Sequence, residues 1–446
     1  MALVDLPDKC QTWAQEWAVT KRRGPYKNIS VRGVDLEVDI KQPVSVNEFD
    51  RLAVYWIMTV IGNPRITVRL WDGNEFYFAD GTAVGEMEFR DRRTLLSLAI
   101  SQSTGFGDGY SNGRLVIHGD ILEFLREIAR SISSRPNQNY YVSKALSMLR
   151  AIRGNSLSRS KNNVHHHYDL GNDFYEMWLD ERMVYTCAYY DNADATLADA
   201  QVAKLDHVCR KLELKPGQDV IEAGCGWGAL AMHMAEHYGV NVKAYNNSHE
   251  QVSLARERSE ARRLNDRVEF VEDDYLTISD KCDVFVSVGM LEHVGLKNFR
   301  TLGNVIDSCL KPTGRGLIHS IGRSHPRPAD AWISKRIFPG GHIPSLAEIS
   351  AVFEPSKFSI LDVENLRLHY ARTCAEWLLN FDDVSDTVSN MYSEEFVRAW
   401  RLYLAGSSTA FETGTLQLYQ IVFAPHGNNN VPWSRRFLYA PDTTEG

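Results

Sequence analysis

The sequence lacks most of the features that would tie a chain to a membrane span, a disulfide scaffold or a nucleic acid. Its 446 residues hold only seven cysteines. They are scattered, odd in number and nowhere paired as C-x-x-C, which argues against a disulfide framework or a cysteine zinc site and fits a reducing compartment. No apolar run reaches the roughly 20 residues that a bilayer span requires; the longest, Leu52 to Ile61, falls well short. The N-terminal stretch MALVDLPDKCQTW has neither the basic region nor the apolar core of a secretory signal. These absences predict a cytoplasmic protein whose membrane contact is peripheral. Positive charge is not in excess either: 49 Lys and Arg against 57 Asp and Glu leave a net charge of -8, so general nucleic-acid binding is not expected. No internal repeat is evident.

The length implies two or three domains, and 44% hydrophobic residues are enough for a sizeable core. The chain is organised around Asp219 to Leu230, DVIEAGCGWGAL, where an apolar run ends in Glu222 and opens into Gly224, Gly226 and Gly228. Glycines at those positions let a strand turn tightly into a helix and let a cofactor approach bare backbone. The spacing is not the dinucleotide G-x-G-x-x-G. Further strands are predicted at 241–245, 268–271, 283–288 and 316–320, with a helix over 250–261 between the first two. Strands alternating with helices at this interval predict a doubly wound parallel sheet with ligands at the carboxyl ends of its strands. Glu222, Asn246, Asp274, Glu292 and His319 fall at those ends.

Residues 1–130 read as a smaller α+β region without a catalytic constellation. Helices are expected over 12–20, with Trp13 and Trp17 on one face, over 45–60, 92–101 and 121–131. Ser45 and Glu48 have the spacing of a capping box. Strands at 66–70 and 75–78 flank Asp72-Gly73, a hairpin signal, and 105–113 reads as a glycine-rich turn. Residues 131–163 form a basic linker: from Ile128 to Tyr168 there is no acid, against Arg130, Arg135, Lys144, Arg150, Arg153, Arg159 and Lys161. The segment suits either contact with anionic phospholipid or a plain solvated linker. His165, His166 and His167 invite a metal reading, but three successive residues share no face of a helix or strand, and no metal site is expected.

From about residue 167 to residue 423 the stretches HYDLGNDFY, YTCAYY, KLELKPG, EAGCGWG, VSVGMLEHVG, HSIG, WISKRIFPGG and GTLQLYQIVF occur in order. With them the chain resembles the cyclopropane-fatty-acyl-phospholipid synthase family, which includes the mycolic acid cyclopropane synthases and methyltransferases. The resemblance implies an α/β fold: a doubly wound S-adenosylmethionine-dependent methyltransferase sheet over 164–446 with a smaller N-terminal domain that binds lipid or forms a homodimer. It implies S-adenosylmethionine as donor, an unsaturated acyl chain of a membrane phospholipid as acceptor, and a bound bicarbonate as base. The family's bicarbonate pocket maps onto Cys187, Glu292, His319, Ile321 and Tyr370. Its cofactor contacts map onto Tyr185 and Thr186 at the methionine end, the glycine loop from Glu222 through Gly224, Gly226 and Gly228, Asn246 and Gln251 at the ribose, and Asp274 with Tyr275 at the adenine.

The resemblance leaves three other activities open: a lipid C-methyltransferase giving a methyl- or methylene-branched chain, an amine N-methyltransferase, and a lipid-binding protein that kept the fold. The chain departs from the family pattern at Glu222, commonly Asp, at Asn246-Asn247-Ser248, commonly Thr-(Ile/Leu)-Ser, and at Ser407, often Cys. Residues 332–344, WISKRIFPGGHIP, mix aromatics with Lys335 and Arg336. Such a loop suits a lipid interface or an ordinary surface equally.

Overall fold

The computed structural model describes residues 45–134 and 170–439. The expected helix over 12–20, the basic residues Arg135 to Lys161, and His165 to Tyr168 lie outside the described residues.

The first segment comprises helix α1 (Glu48–Val60), strands β1 (Ile66–Arg69), β2 (Glu75–Phe76) and β3 (Gly85–Phe89), helices α2 (Arg92–Ile100) and α3 (Gln102–Ser111), strand β4 (Leu115–His118) and helix α4 (Ile121–Ser133). The strands lie in the order β2-β1-β3-β4. The hairpin between β1 and β2 forms where the Asp-Gly pair places it, with Gly73 at φ 88°.

Two local expectations are corrected. Helix α1 is capped by Asn47 and Asp50 rather than Ser45 and Glu48. Starting there lets one carboxylate serve twice, because Asp50 also receives Nε and Nη2 of Arg92 at 2.8 and 2.7 Å. The glycine-rich stretch from Gly105 is not a turn but most of α3. A Cβ at Gly105 would lie 2.5 Å from the Ser97 carbonyl, and one at Gly107 would lie 2.4 Å from the Trp332 ring. These glycines remove side chains where the helix presses on its neighbours; only Gly113, at φ 72°, makes a turn.

The second segment runs through α5 (Asn172–Glu176), α6 (Leu197–Leu212), β5 (Asp219–Ala223), α7 (Ala229–Tyr238), β6 (Asn241–Asn246), α8 (His249–Ala261), β7 (Val268–Glu272), β8 (Cys282–Val288), α9 (Leu291–Val294), α10 (Phe299–Cys309) and β9 (Leu310–Gly322). It continues with α11 (Ala331–Arg336), α12 (Leu346–Phe353), β10 (Ser359–Asn365), α13 (Arg367–Asp383), α14 (Ser385–Met391), α15 (Glu394–Glu412) and β11 (Gln417–Ala424). Its seven strands lie in the order β10-β11-β9-β8-β5-β6-β7. The five from β5 to β9 are parallel, as expected for a doubly wound sheet. At one side β11 and β10 continue the sheet antiparallel. Strand β8 is buried almost throughout, the continuous apolar run of a strand covered on both faces.

Where α5, α13 and α15 meet, Phe174, Trp178, Trp377, Phe381 and Trp400 pack edge to face. Phe174 and Trp400 have ring centroids 5.1 Å apart, and Trp178 and Trp377 5.9 Å. Each such pair adds about 0.5–1.5 kcal/mol beyond its buried area. The cluster holds Tyr185, which lies 5.2 Å from Trp377 and 5.2 Å from Tyr175. The first segment docks on the same helices: Arg126 pairs with Glu412 at 2.6 Å, and Arg398 donates to the Ser111 carbonyl at 2.8 Å. Among the described residues no helix is long and apolar enough to cross a membrane.

Candidate active site

Strand β5 delivers Glu222 to the floor of a cavity of about 510 Å³ at the carboxyl ends of the parallel strands. Beyond it the chain turns through Gly224 (φ 84°), Gly226 (φ 55°) and Gly228 (φ 80°), a backbone that side chains with a Cβ rarely adopt. The amides of Gly224 and Cys225 donate to the Tyr245 carbonyl at 2.8 and 3.2 Å, which pins this loop to β6. Gly226 faces open space. Gly228 does not line the cavity; a Cβ there would lie 2.5 Å from the Phe270 ring and 3.1 Å from Ala255. It therefore serves the close packing of α7 on the sheet. Gly228→Ala combines backbone strain with overpacking, together roughly 3 kcal/mol. Differential scanning fluorimetry should show the unfolding midpoint fall by roughly 3–5 °C; an unchanged midpoint would refute this role.

The other nine cofactor residues inferred from the sequence all line this cavity. Asn246 donates through Nδ2 to Gln251 Oε1 at 2.8 Å and to the Gly226 carbonyl at 3.2 Å, tying α8 to the glycine loop. Asp274 caps a short turn by accepting from the Leu276 amide, and Tyr275 stands beside it. Burial pushes Glu222 up to about 8, against the pull of the nearby Lys204 ammonium. Its Oε2 has no hydrogen-bond partner among the described residues.

Lys204 is a residue that motif reasoning missed. It lies buried on α6, its Nζ donates to Thr186 Oγ1 at 3.1 Å, and burial holds it down at about 8 despite Asp180, Cys187 and Glu222 nearby. A lysine in a helix rich in polar residues carries no spacing signal; only the tertiary packing places it in the cavity wall.

A second cavity, of about 590 Å³ and mainly apolar, lies against the first. The two share Tyr185, Thr186, Gly289 and His293. Its walls include Glu292, Ile321, Tyr370 and Cys374, Phe106 and Leu125 from the first segment, and Trp332 and Phe338. Trp332 is thus buried and walls the chamber, while Lys335 and Arg336 of the same stretch are exposed. His293, another residue not singled out in advance, borders both cavities, and burial lowers its pKa so that the ring is neutral.

Of the five residues mapped to a bicarbonate pocket, Glu292, Ile321 and Tyr370 line this second cavity, and Cys187 and His319 do not. Glu292 Oε1 accepts from the Ile321 amide at 2.6 Å, while Oε2 is buried without a hydrogen-bond partner among the described residues, the Ser320 hydroxyl lying near the carboxyl. Burial pushes this carboxyl up to about 7. Tyr370 stacks on Phe411 with centroids 4.4 Å apart, and burial keeps its hydroxyl protonated. Cys187 is fully buried, its thiol directed at the Ala188 carbonyl at 3.1 Å and kept protonated by burial. His319 is also buried. Burial and the charges of Lys204 and Lys211 keep it neutral, its Nδ1 lies 3.2 Å from Gln420 Nε2, and its carbonyl holds the Gly289 amide at 2.9 Å. Its side-chain partner is Gln420 of β11 rather than Glu292.

This geometry, a polar chamber at a glycine loop adjoining an apolar chamber, each with one buried glutamate in its lining, agrees with the comparisons to known proteins. The family described as mycolic acid cyclopropane synthetase matches residues 155–421. The chain is 35% identical over 357 residues to the cyclopropane-fatty-acyl-phospholipid synthase of Escherichia coli K12, covering 80% of this chain and 92% of that one. The chain belongs to the cyclopropane synthase family.

A relative from Pseudomonas putida, described as a probable fatty acid methyltransferase, is 34% identical over 388 residues, covering 84% of this chain and 96% of its own length. Among solved structures, mycolic acid cyclopropane synthase CmaA1 complexed with SAH and CTAB superposes with a TM-score of 0.56 at 29% identity, over 59% of this chain and 97% of that one. The chain is accordingly an S-adenosylmethionine-dependent methyltransferase of the cyclopropane synthase family. The unpartnered carboxylate oxygen of Glu222 and the ammonium of Lys204 suit the charged methionine end of that cofactor.

Proposed function

We propose that this enzyme converts the cis double bond of an unsaturated phospholipid acyl chain to a cyclopropane, with S-adenosylmethionine as donor and bicarbonate as base. The observation that carries the proposal is the junction of the two cavities at Tyr185, Thr186, Gly289 and His293, with the unpartnered Glu292 Oε2 on the apolar side. An amine substrate would have little use for an apolar chamber of this size, and a fatty chain requires one.

S-adenosylmethionine supplies an electrophilic methyl on sulfur, which a weak nucleophile such as an alkene demands. One C–S bond, the alkene π bond and one C–H bond of the transferred methyl break, two C–C σ bonds form, and S-adenosylhomocysteine and one proton leave. The ring face of Tyr185 is suited to stabilise positive charge at the junction, and the apolar walls keep water from the cation that develops on the lipid. A bicarbonate at this site would take the proton from the newly added methyl group. Glu292 Oε2 would accept from its hydroxyl and Tyr370 would donate to its oxyanion. Both groups fit that role, since one is an unpartnered acceptor and the other a protonated donor. Cys187 and His319 would act from behind, His319 through the Gly289 amide that its carbonyl holds.

In this reading the chain acts at the membrane surface. Residues 1–130 serve lipid binding or homodimer formation, supported for lipid by Phe106 and Leu125 in the cavity wall, and 131–163 form a basic linker ahead of the 164–446 methyltransferase domain. The test is mass spectrometry of acyl chains after incubation with cis-unsaturated vesicles and S-adenosylmethionine bearing a deuterated methyl. Cyclopropane formation retains two deuterons and co-elutes with a cyclopropane standard. Retention of all three deuterons would instead establish the methyl-branched product, and an unlabelled lipid would overturn the proposal.

A further inference from the structure

After β9 the chain forms a loop whose two arginines line the apolar cavity. Arg323 is 5% exposed. Its Nη1 donates to the carbonyls of Arg327 and Pro328 at 2.7 and 2.8 Å, while its Nε is buried without a partner among the described residues. Arg327 stands exposed at the rim, with Nη2 on the Thr415 carbonyl at 2.9 Å. Two carboxylates act on them from longer range, Asp330 on both and Glu348 on Arg323, and each also caps a helix. Asp330 caps α11 through the amides of Trp332 and Ile333 and accepts from the Ser103 hydroxyl. Glu348, which bears on Arg323, caps α12 through Ser345.

Burial and the positive charge of Arg327 hold Arg323 down at about 10, which still leaves it a cation at neutral pH. A cation with an unpaired N–H in an apolar wall, beside a second cation, is costly unless an anion joins them. A guanidinium fork matches the paired oxygens of phosphate or carboxylate. The geometry points to an oxyanion subsite at Arg323 and Arg327 that holds the acidic end of the acyl substrate at the cavity rim. That end is the phosphodiester of a phospholipid or the carboxylate of a free fatty acid. The inference rests on reading the apolar cavity as the acyl site. The contrasting role for Arg323, a staple of the 324–330 loop, accounts for Nη1 but leaves Nε without a partner among the described residues.

The experiment is calorimetric titration of the full chain, with S-adenosylhomocysteine present, using dodecyl phosphate and neutral dodecanol below their aggregation limits. The wild type should prefer dodecyl phosphate. Arg327→Gln and Arg323→Gln should each weaken dodecyl phosphate roughly tenfold, the loss of one charge-assisted contact, and leave dodecanol unchanged. Arg327→Lys should lose less. Equal weakening of both ligands, or of neither, overturns the subsite. A wild type that binds dodecanol without preferring the phosphate overturns the subsite but leaves the acyl cavity standing; one that binds neither removes both. The source is read from KM: a rise in Arg327→Gln with cis-unsaturated phospholipid vesicles identifies the phosphodiester, a rise with micellar cis-unsaturated fatty acid identifies the carboxylate, and a rise with neither overturns the inference.

Discussion

Glu292→Gln should lower lipid product formation by roughly 10²–10⁴-fold, the range for a group that governs a proton transfer, with S-adenosylhomocysteine affinity within about twofold of wild type. Glutamine preserves the shape of the side chain and the acceptor that receives the Ile321 amide at 2.6 Å. It replaces the unpartnered Oε2 by an NH2 donor, which can neither accept from a hydroxyl nor carry negative charge. Because burial pushes this carboxyl up to about 7, its ionised fraction grows as pH rises through that value. The wild-type rate should therefore climb through about pH 7, and residual activity of the variant should lack that limb.

Stability separates this effect from misfolding. A carboxyl whose folded pKa lies above its ordinary value near 4.5 contributes stability that is fully present below that value and lost as pH rises through about 7. At pH 8 the glutamine variant is relieved of a buried negative charge and should melt no lower than the wild type. Undiminished turnover in a folded variant would remove Glu292 from the reaction.

The parallel half of the sheet was legible because β5, β7, β8 and β9 carry apolar runs that end at glycine or an acid and β6 ends at Asn246, polar or flexible positions where the backbone must turn or a ligand must be met. The antiparallel strands β10 and β11 were not. Ser359–Asn365 is a polar edge strand with no alternation to mark it, and Gln417–Ala424 is apolar enough to suit several roles. Gly105, Gly107 and Gly109 misled for a physical reason. Glycine signals a turn when its φ is positive and close packing when it is not, and only the neighbours, Trp332 above all, distinguish the two. At the site, the motifs grouped Cys187 and His319 with Glu292, Ile321 and Tyr370, and of these only the last three line the apolar cavity. His319 instead pairs across β9 and β11 with Gln420, a long-range contact that no local pattern encodes. Lys204 was hidden for the same reason.

Lys204→Met should weaken S-adenosylmethionine and S-adenosylhomocysteine binding by roughly 10- to 100-fold, the value of one or two hydrogen bonds to a charged group. Methionine keeps the length and fills the same space, yet removes the donor that Thr186 Oγ1 receives at 3.1 Å and the cation that helps Glu222 ionise. Glu222 then stays protonated to a higher pH and offers less negative charge to the cofactor's ammonium. The unliganded protein should keep a similar melting temperature at neutral pH, because Glu222, deprived of its counter-charge, holds its proton rather than remaining a buried anion. Glu222→Gln should also weaken binding, and the double variant should lose less than the sum of the two, since each single change leaves the other group without its counter-charge. Calorimetric titration of the four proteins measures the coupling. Additive losses would show that Lys204 and Glu222 act independently, and unchanged affinity in Lys204→Met would reduce the lysine to a support for Thr186.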